Sequence, residues 1–167
     1  MRRVFPRLLA MLLCSAAAPL DAALTSTFQV SATVAAGCLV AGSASNYGNL
    51  DFGSYSALSV GSVTTALGGT TVTLQCTPGV NLSMSVDAGQ NGASGTRNLK
   101  RSSGASLVAY QLFRDAGFSQ GLGINQSVPV SYSNAAAIKL AVYARAQLTG
   151  KLPAGNYTDV VQVVLSF

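Results

Sequence analysis

The sequence of 167 residues contains no histidine and no tryptophan, and only 9% of its residues are charged. It also lacks glutamate, so its acidic residues are five aspartates. Histidine and glutamate are among the commonest general bases, and histidine is the commonest metal ligand. These absences argue against a hydrolase, a metalloenzyme or a phosphoryl-transfer enzyme. We therefore expect no catalytic residue, no metal site and no cofactor.

The first 22 residues have the layout of a secretory signal peptide. Residues 1–7 are basic, residues 8–20 are mostly apolar, and small residues follow at Ala22 and Ala23, where we place the cleavage site. The apolar run is too short to span a bilayer, so we expect no membrane span in the mature chain. A lipoprotein signal at Cys14 is the alternative, but Leu13 stands where such a site needs a small residue.

Removal of this segment changes both the charge and the cysteine count. The net charge falls from +5 to +3, because three arginines and Asp21 leave with it. The basic cluster at residues 97–101 has no interleaved aromatic residue, which favours a solvated loop over a nucleic-acid site. The exported chain keeps one cysteine pair, Cys38 and Cys76, which is most simply one disulfide. On the chain-entropy model its loop closure stabilises the fold by about 4 kcal/mol.

The apolar residues of the remaining chain recur with a period of two. Phe28, Val30, Ala32 and Val34 alternate with polar residues, as in a half-buried strand. Because Pro129 donates no ladder hydrogen bond, the stretch 128–132 is predicted to be short or at a sheet edge. Turn signals separate the runs, no segment has a helical stripe, and the spacing predicts an all-β sandwich. The other predicted strands are residues 71–76, 81–87, 106–113, 137–143 and 157–167.

The two ends of the mature chain are unusual for a soluble monomer. The final strand runs to the C-terminus, and no residue from Val160 to Phe167 is charged. The N-terminal strand pattern is equally regular. Soluble proteins usually protect sheet edges with charges, proline or coverage. One edge of this sandwich is therefore predicted to pair with another chain.

The sequence resembles the spore coat protein U domain family, which includes the pilin subunits of archaic chaperone–usher pili. Six ordered segments carry the resemblance over essentially the whole mature chain, and the last of them is the most specific. They are Phe28-x-Val-x-Ala-x-Val34 with Cys38, Leu50-Asp-Phe-Gly-x-Tyr55, Val72-x-Leu-x-Cys76-x-x-Gly79, Ala109-Tyr-Gln-Leu-Phe-Arg-Asp115, Val142-Tyr-Ala-Arg145 and Leu152-Pro-Ala-Gly-Asn-Tyr-Thr-Asp159.

The resemblance implies an immunoglobulin-like β-sandwich that lacks its final strand. A periplasmic chaperone fills the resulting groove first, and the N-terminal strand of the next subunit then replaces the chaperone strand, which is β-strand addition between chains. The resemblance further implies an outer-membrane usher and neighbouring pilin subunits as partners, and a pilus at the cell surface. Residues 23–36 are then the donor-strand segment, and residues 37–167 are the sandwich domain.

The resemblance also assigns roles to single residues. Phe28, Val30, Ala32 and Val34 are expected to fill the groove of a neighbour. The groove of this subunit, and its contact with the chaperone, are expected to be lined by Val161, Val163, Leu165 and Phe167. An ordinary first strand within its own sandwich is the alternative for the N-terminal segment.

Two residues of the last motif are expected to have structural roles. Tyr157 is predicted to pack in the core and to tie down a corner through its hydroxyl. Asp159 is predicted to fix a local turn or to pair with an arginine, in preference to binding a metal ion.

Three functions follow from these observations. The first is a structural subunit of an extracellular pilus that supports adhesion and biofilm formation. The second is a self-complete coat protein secreted onto a spore or cell surface. The third, an enzyme that uses a serine with Lys100, Lys139 or Lys151, is disfavoured because no motif places a base beside a nucleophile.

Overall fold

The computed structural model describes residues 26–41, 47–67 and 73–167. The predicted signal peptide and its cleavage site lie outside these residues. The chain divides after Val34 into two units. In the first unit, the described residues 26–34 belong to no strand.

The described part of the second unit contains eleven β-strands and no helix. The strands are β1 (Cys38–Ala41), β2 (Val60–Ala66), β3 (Thr73–Cys76), β4 (Leu82–Val86), β5 (Arg97–Arg101), β6 (Leu107–Phe113), β7 (Val128–Val130), β8 (Ile138–Lys139), β9 (Tyr143–Thr149), β10 (Tyr157–Thr158) and β11 (Val163–Ser166).

These strands form one five-stranded sheet and two three-stranded sheets. The five-stranded sheet has the order β10-β5-β6-β9-β2, and the smaller sheets have the orders β1-β3-β8 and β11-β4-β7. Every pair of neighbouring strands is antiparallel. One core contains residues of all three sheets, for example Leu74 of β3, Met84 of β4 and Leu112 of β6. The two small sheets thus make up the layer that faces the five-stranded sheet, and the predicted all-β sandwich is confirmed.

The alternation of apolar residues explains how the two layers meet. In β4, Leu82, Met84 and Val86 are buried while the serines between them are half-buried. In β6, the buried positions again alternate with exposed ones. Successive side chains of a strand point to opposite faces, so each of these strands presents one apolar face to the core.

Two predicted strands are each divided between two sheets. The stretch 137–143 becomes β8, which pairs with β3, and the start of β9, which pairs with β6 and β2. The stretch 157–167 becomes β10, beside β5, and β11, beside β4. The period-two pattern continues through each crossing, because Leu140 and Val142, and likewise Val161, still pack on the shared core. Periodicity alone therefore could not show where the pairing partner changes.

Three further strands differ from the sequence prediction. The cluster 97–101 is not a solvated loop: it forms β5, and Arg97 is buried. Strands β1 and β2 were not predicted. By contrast, β7 lies at the end of its sheet, as Pro129 indicated. The predicted disulfide is also present, between Cys38 of β1 and Cys76 of β3.

Candidate functional site

The layer opposite the five-stranded sheet is interrupted between β1 and β11. Each of these strands stands first in its own sheet, so each has one edge that pairs with no described strand. The two edges approach each other at one end, where a methyl group on Gly37 would lie 4.0 Å from Cε2 of Phe167. Because β1 begins where β11 ends, the two edges run in opposite directions.

A cavity of about 700 Å³ lies farther along, between the last strand and residues that follow β1. Residues between Tyr47 and Phe52, which follow β1 in the chain, line one side, and residues 160–164 line the other. Burial raises the pKa of the Tyr47 phenol. Side chains of the sandwich core form the floor, among them Leu112, Val142 and Ala144. We call the gap between the two edges, together with this cavity, the groove.

The last strand turns one set of apolar side chains toward the core. Val161, Val163 and Leu165 are half-buried and pack against the core. Val160 and Val164, on the other face, are 57% and 54% exposed. Phe167, at the chain end, is also mostly exposed. The odd-numbered residues up to Leu165 therefore form the inner face, and the apolar residues of the outer face meet solvent.

The N-terminal segment 26–34 has the opposite character. Its apolar side chains are exposed, with Phe28 at 86%, Val30 at 82% and Val34 at 92%, and Ala32 is exposed as well. Exposure of alternating large apolar residues is costly in water, since burial of a valine or phenylalanine side chain is worth about 1.5–3 kcal/mol. This segment carries apolar surface that none of the described strands covers by pairing.

The disulfide fixes one border of the groove. Cys38 lies directly opposite Cys76 in the antiparallel pair of β1 and β3. The same pair of strands is extended by hydrogen bonds between Gly37 and Thr77, in which Thr77 N donates to Gly37 O at 2.9 Å. A short edge strand is thus held covalently where it borders the gap.

The other border is fixed by a corner at the crossing from β10 to β11. The Tyr157 hydroxyl donates to Pro153 O at 2.8 Å. One carboxylate oxygen of Asp159 accepts from the backbone and side chain of Asn91, and the other accepts from the Tyr110 hydroxyl at 2.7 Å. Gly89, at φ +75°, leaves room for this carboxylate, with which any side chain at that position would collide. The partners of Asp159 are therefore Asn91 and Tyr110 and not an arginine.

A second aspartate connects the crossing to β4. Asp87 Oδ1 accepts from the backbone N–H of Gln162 at 2.9 Å, and the Asp87 N–H donates to Gln162 O at 3.1 Å. The same carboxylate oxygen accepts from Gly89 N. These bonds hold the residues just before β11, so the inner face of the last strand starts from a defined position.

The buried arginine of β5 is the feature that sequence reasoning missed. Arg97 is 4% exposed. It donates to four backbone carbonyls, which belong to Val86, Asp87, Leu122 and Gly123, at 2.7–3.2 Å. Its sequence signal was the alternation with Leu99, which places both side chains on the inner face of β5.

Electrostatics favour a structural role for this arginine. Burial lowers the pKa of Arg97, while Tyr110, Asp87 and Asp159 act in the opposite direction. The four carbonyls come from β4 and from the loop before β7, so Arg97 connects the five-stranded sheet to the opposite layer. Four of the five guanidinium N–H donors are thus used within the fold.

Nothing in the described residues supports catalysis or metal binding. Lys100, Lys139 and Lys151 are exposed, and none of them has a serine hydroxyl as a described hydrogen-bond partner. No group of three histidine, cysteine or acidic side chains is close enough to hold a metal ion in the described ranges. The same ranges contain no helix with the length and apolar character needed to cross a membrane.

Two solved structures are similar to the chain. One is a chain of the CsuC–CsuE chaperone–tip adhesion subunit pre-assembly complex from archaic chaperone–usher Csu pili of Acinetobacter baumannii. It is 20% identical with a TM-score of 0.46, and the match covers 81% of this chain and 40% of that one. The other is a chain of a chaperone–tip adhesin complex of CFA/I fimbriae, 13% identical with a TM-score of 0.46, covering 78% and 41%. This chain thus spans about 40% of the matched chains.

No curated protein matches the sequence. The Spore Coat Protein U domain profile matches residues 24–164, which include β1, the start of β11 and the exposed N-terminal segment. The chain therefore belongs to the Spore Coat Protein U domain family.

Proposed function

We propose that the protein is a structural, non-enzymatic subunit of an extracellular pilus, assembled by donor-strand exchange. The observation that carries the proposal is the groove: the unpaired edge of β11 borders an open cavity over the core of the sandwich, and the residues that follow β1 border it on the other side. A strand from another chain can pair with an unpaired edge at the usual spacing of about 4.8 Å and cover this cavity.

The proposed occupant of the groove is the N-terminal segment of another copy. Phe28, Val30, Ala32 and Val34 alternate along residues 23–36, and those side chains are exposed in the single chain. In an extended strand, all four point to one face. In the groove they contact the inner face of the last strand, formed by Val161, Val163 and Leu165, with Phe167 at its end. The main chain supplies hydrogen bonds, and the alternate side chains select the register.

A subunit with an open groove needs protection before it polymerises. We propose that a periplasmic chaperone occupies the groove after removal of residues 1–22, and that an outer-membrane usher exchanges the chaperone strand for the donor strand. The product is a cell-surface pilus that supports adhesion and biofilm formation. The alternative, a self-complete coat protein, requires residues 23–36 to pair with their own sandwich, and the described residues 26–34 belong to no strand.

Complementary variants test the exchange. Val30→Asp places a charge on the donor segment but leaves the groove intact, and Val163→Asp does the reverse. Each chain alone is expected to form no polymer, because a desolvated, unpaired carboxylate is too costly in an apolar groove. A mixture is expected to form a dimer and nothing longer, since the Val163→Asp chain can donate once to the Val30→Asp chain. The full chain is secreted together with its chaperone and run on SDS gels without heating. SDS-resistant dimers and longer polymers then appear as a ladder of bands.

The matched controls carry the same charge on the outer faces. Gln29→Asp lies beside Val30, and Ser166→Asp lies on the outer face of β11 outside the cavity lining. Both variants are expected to keep the full series of SDS-resistant polymers. If Val30→Asp polymerises as the parent does, the exchange mechanism is wrong. A chain lacking residues 24–34 whose unfolding is unchanged by an added peptide of residues 24–34 contradicts the open groove.

A further inference from the structure

A second unpaired edge lies on the five-stranded sheet, away from the groove. Strand β2 is last in the order β10-β5-β6-β9-β2 and pairs with β9 on one side only among the described strands. Its seven residues, Val-Gly-Ser-Val-Thr-Thr-Ala, include no charge and no proline. Those are the residues with which proteins usually prevent edge-to-edge association. The edge is long and unprotected.

The ladder with β9 shows which backbone groups of β2 face outward. The register pairs Ala66 with Tyr143, and the next residue, Leu67, donates its N–H to Val142 O at 2.7 Å. In an antiparallel pair, hydrogen-bonded and non-hydrogen-bonded residue pairs alternate. Thr65, Val63 and Gly61 therefore bond to β9, and the N–H and C=O groups of the four residues between them point away from the sheet. These residues are Val60, Ser62, Thr64 and Ala66.

The outward-facing residues also carry exposed side chains, and apolar surface continues at the start of the strand. The burial of β2 alternates in step with the ladder, so that Val60, Ser62, Thr64 and Ala66 are exposed. Val60 is 76% exposed and Leu58, two residues earlier, is 75% exposed. Exposed apolar side chains beside an unpaired edge favour contact with another protein surface.

We propose that this edge pairs with the β2 edge of a second copy, antiparallel and centred on Val63. In this register all four outward-facing residues find a partner: Val60 lies opposite Ala66, and Ser62 lies opposite Thr64. A shift by one position sets the outward-facing residues opposite residues that bond to β9, and a shift by two leaves Val60 or Ala66 without a partner in the strand. Because β2 has no charged residue, two copies do not repel each other across the two-fold axis. For the same reason, β2 cannot form an ion pair with a charged strand of a different protein.

The contact joins two five-stranded sheets into one continuous sheet. It does not depend on strand donation, because the groove lies in the other layer. In a polymer, each subunit still presents β2 after its groove is filled, so the contact associates neighbouring fibres side by side. It buries apolar surface at both ends of the paired strands, where Val60 of one copy meets Ala66 of the other.

Disulfide cross-linking tests the pairing and its register. The two cysteines of the mature chain are bonded to each other, so Ser62→Cys and Thr64→Cys each introduce one free thiol. Directly opposite residues have Cβ atoms about 4.5–5.5 Å apart, whereas diagonal neighbours are about 7–8 Å apart, beyond easy disulfide reach. An oxidised mixture of the two full-length variants is therefore expected to cross-link several-fold more than either variant alone. The Ala109→Cys chain, with its thiol on the exposed face of β6, is the matched control.

Equal cross-linking in the mixture and in the single variants overturns the register. No cross-linking above the Ala109→Cys control overturns the contact itself. If the ladder of SDS-resistant polymers is missing while the mixture cross-links, donor-strand exchange fails and the β2 contact stands; the reverse outcome refutes the β2 contact alone.

A charged edge provides the second test. Thr64→Lys places like charges close together across the two-fold axis, and Ala109→Lys adds the same charge to a central strand. Electron micrographs of fibres, with turbidity of the same samples, are expected to show loss of side-by-side association for Thr64→Lys only, with an unchanged SDS-resistant ladder. Bundles that persist in Thr64→Lys, or that disappear equally in Ala109→Lys, contradict the proposal.

Discussion

The two layers of the sandwich are built from the same alternation of apolar and polar residues but differ in how their strands pair. In the five-stranded sheet the chain supplies every ladder from β10 to β2. The opposite layer is divided between β1 and β11, and its apolar side chains along the last strand stay half-buried. The difference shows that an apolar face is buried only as far as the chain provides neighbours for it. The layer that remains open is the one for which we propose a strand from another copy.

The largest expected effect comes from breaking the connection between the layers. Arg97→Met removes the buried guanidinium and leaves four carbonyls without their donor, which is expected to lower the free energy of unfolding by about 4 kcal/mol. Arg101→Met is the control, because Arg101 lies on the same strand, is half-buried and makes one side-chain hydrogen bond, to Ala154 O. Its expected loss is less than about 1 kcal/mol. Urea unfolding monitored by circular dichroism measures both.

Equal losses for the two arginine variants contradict a connecting role for Arg97. If Arg97→Met leaves the free energy of unfolding unchanged, hydrophobic packing alone connects the two layers.

Leucine truncations in the two layers give the next largest effect. Leu112→Ala, in the centre of the five-stranded sheet, is expected to cost about 3 kcal/mol, because its side chain is fully surrounded. Leu165→Ala, in the last strand, is expected to cost about 1 kcal/mol in the isolated subunit, because that side chain is only half-buried. Filling the groove with a peptide of residues 24–34 is expected to raise the second cost and to leave the first unchanged. If the loss of unfolding free energy in Leu165→Ala is the same with and without the peptide, the assignment of the inner face is wrong.

The smallest expected effect concerns Tyr110, which joins the complete sheet to the corner at Asp159. Burial, and then the hydrogen bond to Asp159, raise the pKa of Tyr110 far above its ordinary 10.0. The folded state therefore favours the protonated phenol, and the stability this provides is full below pH 10 and is lost as the pH rises above it. Stability is expected to fall by about 1.4 kcal/mol per pH unit in that range through this group.

Tyr110→Phe separates this group from the other tyrosines. It is expected to cost about 1 kcal/mol at pH 7, because Asp159 loses a donor, and to remove that part of the alkaline slope. Tyr55→Phe, at an exposed tyrosine, is expected to change neither quantity. Identical alkaline slopes for the parent and Tyr110→Phe contradict the raised pKa.

Sequence reasoning succeeded where one strand has one apolar face. The alternation at residues 81–87 and 106–113 predicted β4 and β6, Pro129 predicted an edge strand, and the count of cysteines after the signal peptide predicted the disulfide. These features depend on neighbours in the sequence. Two period-two runs were nevertheless wrong as single strands, because alternation persists while the chain crosses from one sheet to the next.

The candidate site was predictable only in outline. The last strand was predicted, but valines lie on both of its faces, so only the fold shows that the odd-numbered residues pack on the core. Tyr157 and Asp159 lie at the crossing to β11. Arg97 could not be placed from its type, because an arginine in a basic cluster usually lies in solvent. Its burial depends on carbonyl groups of Val86, Asp87, Leu122 and Gly123, which only the fold assembles around it.

The absence of histidine and glutamate, the low charge and the period of two already determine much about this protein. They describe an all-β chain with uncharged ends and without the residue types that most catalysis needs, because side-chain chemistry and strand patterning are local properties. Tertiary structure alone decided that β1 and β11 leave a gap between them and that Arg97 bridges the two layers. It also decided that β2 lies at the end of its sheet, with its outer edge unpaired among the described strands. Those facts depend on pairing between residues far apart in the chain, and the free energy of such pairing is set by geometry that no local pattern contains.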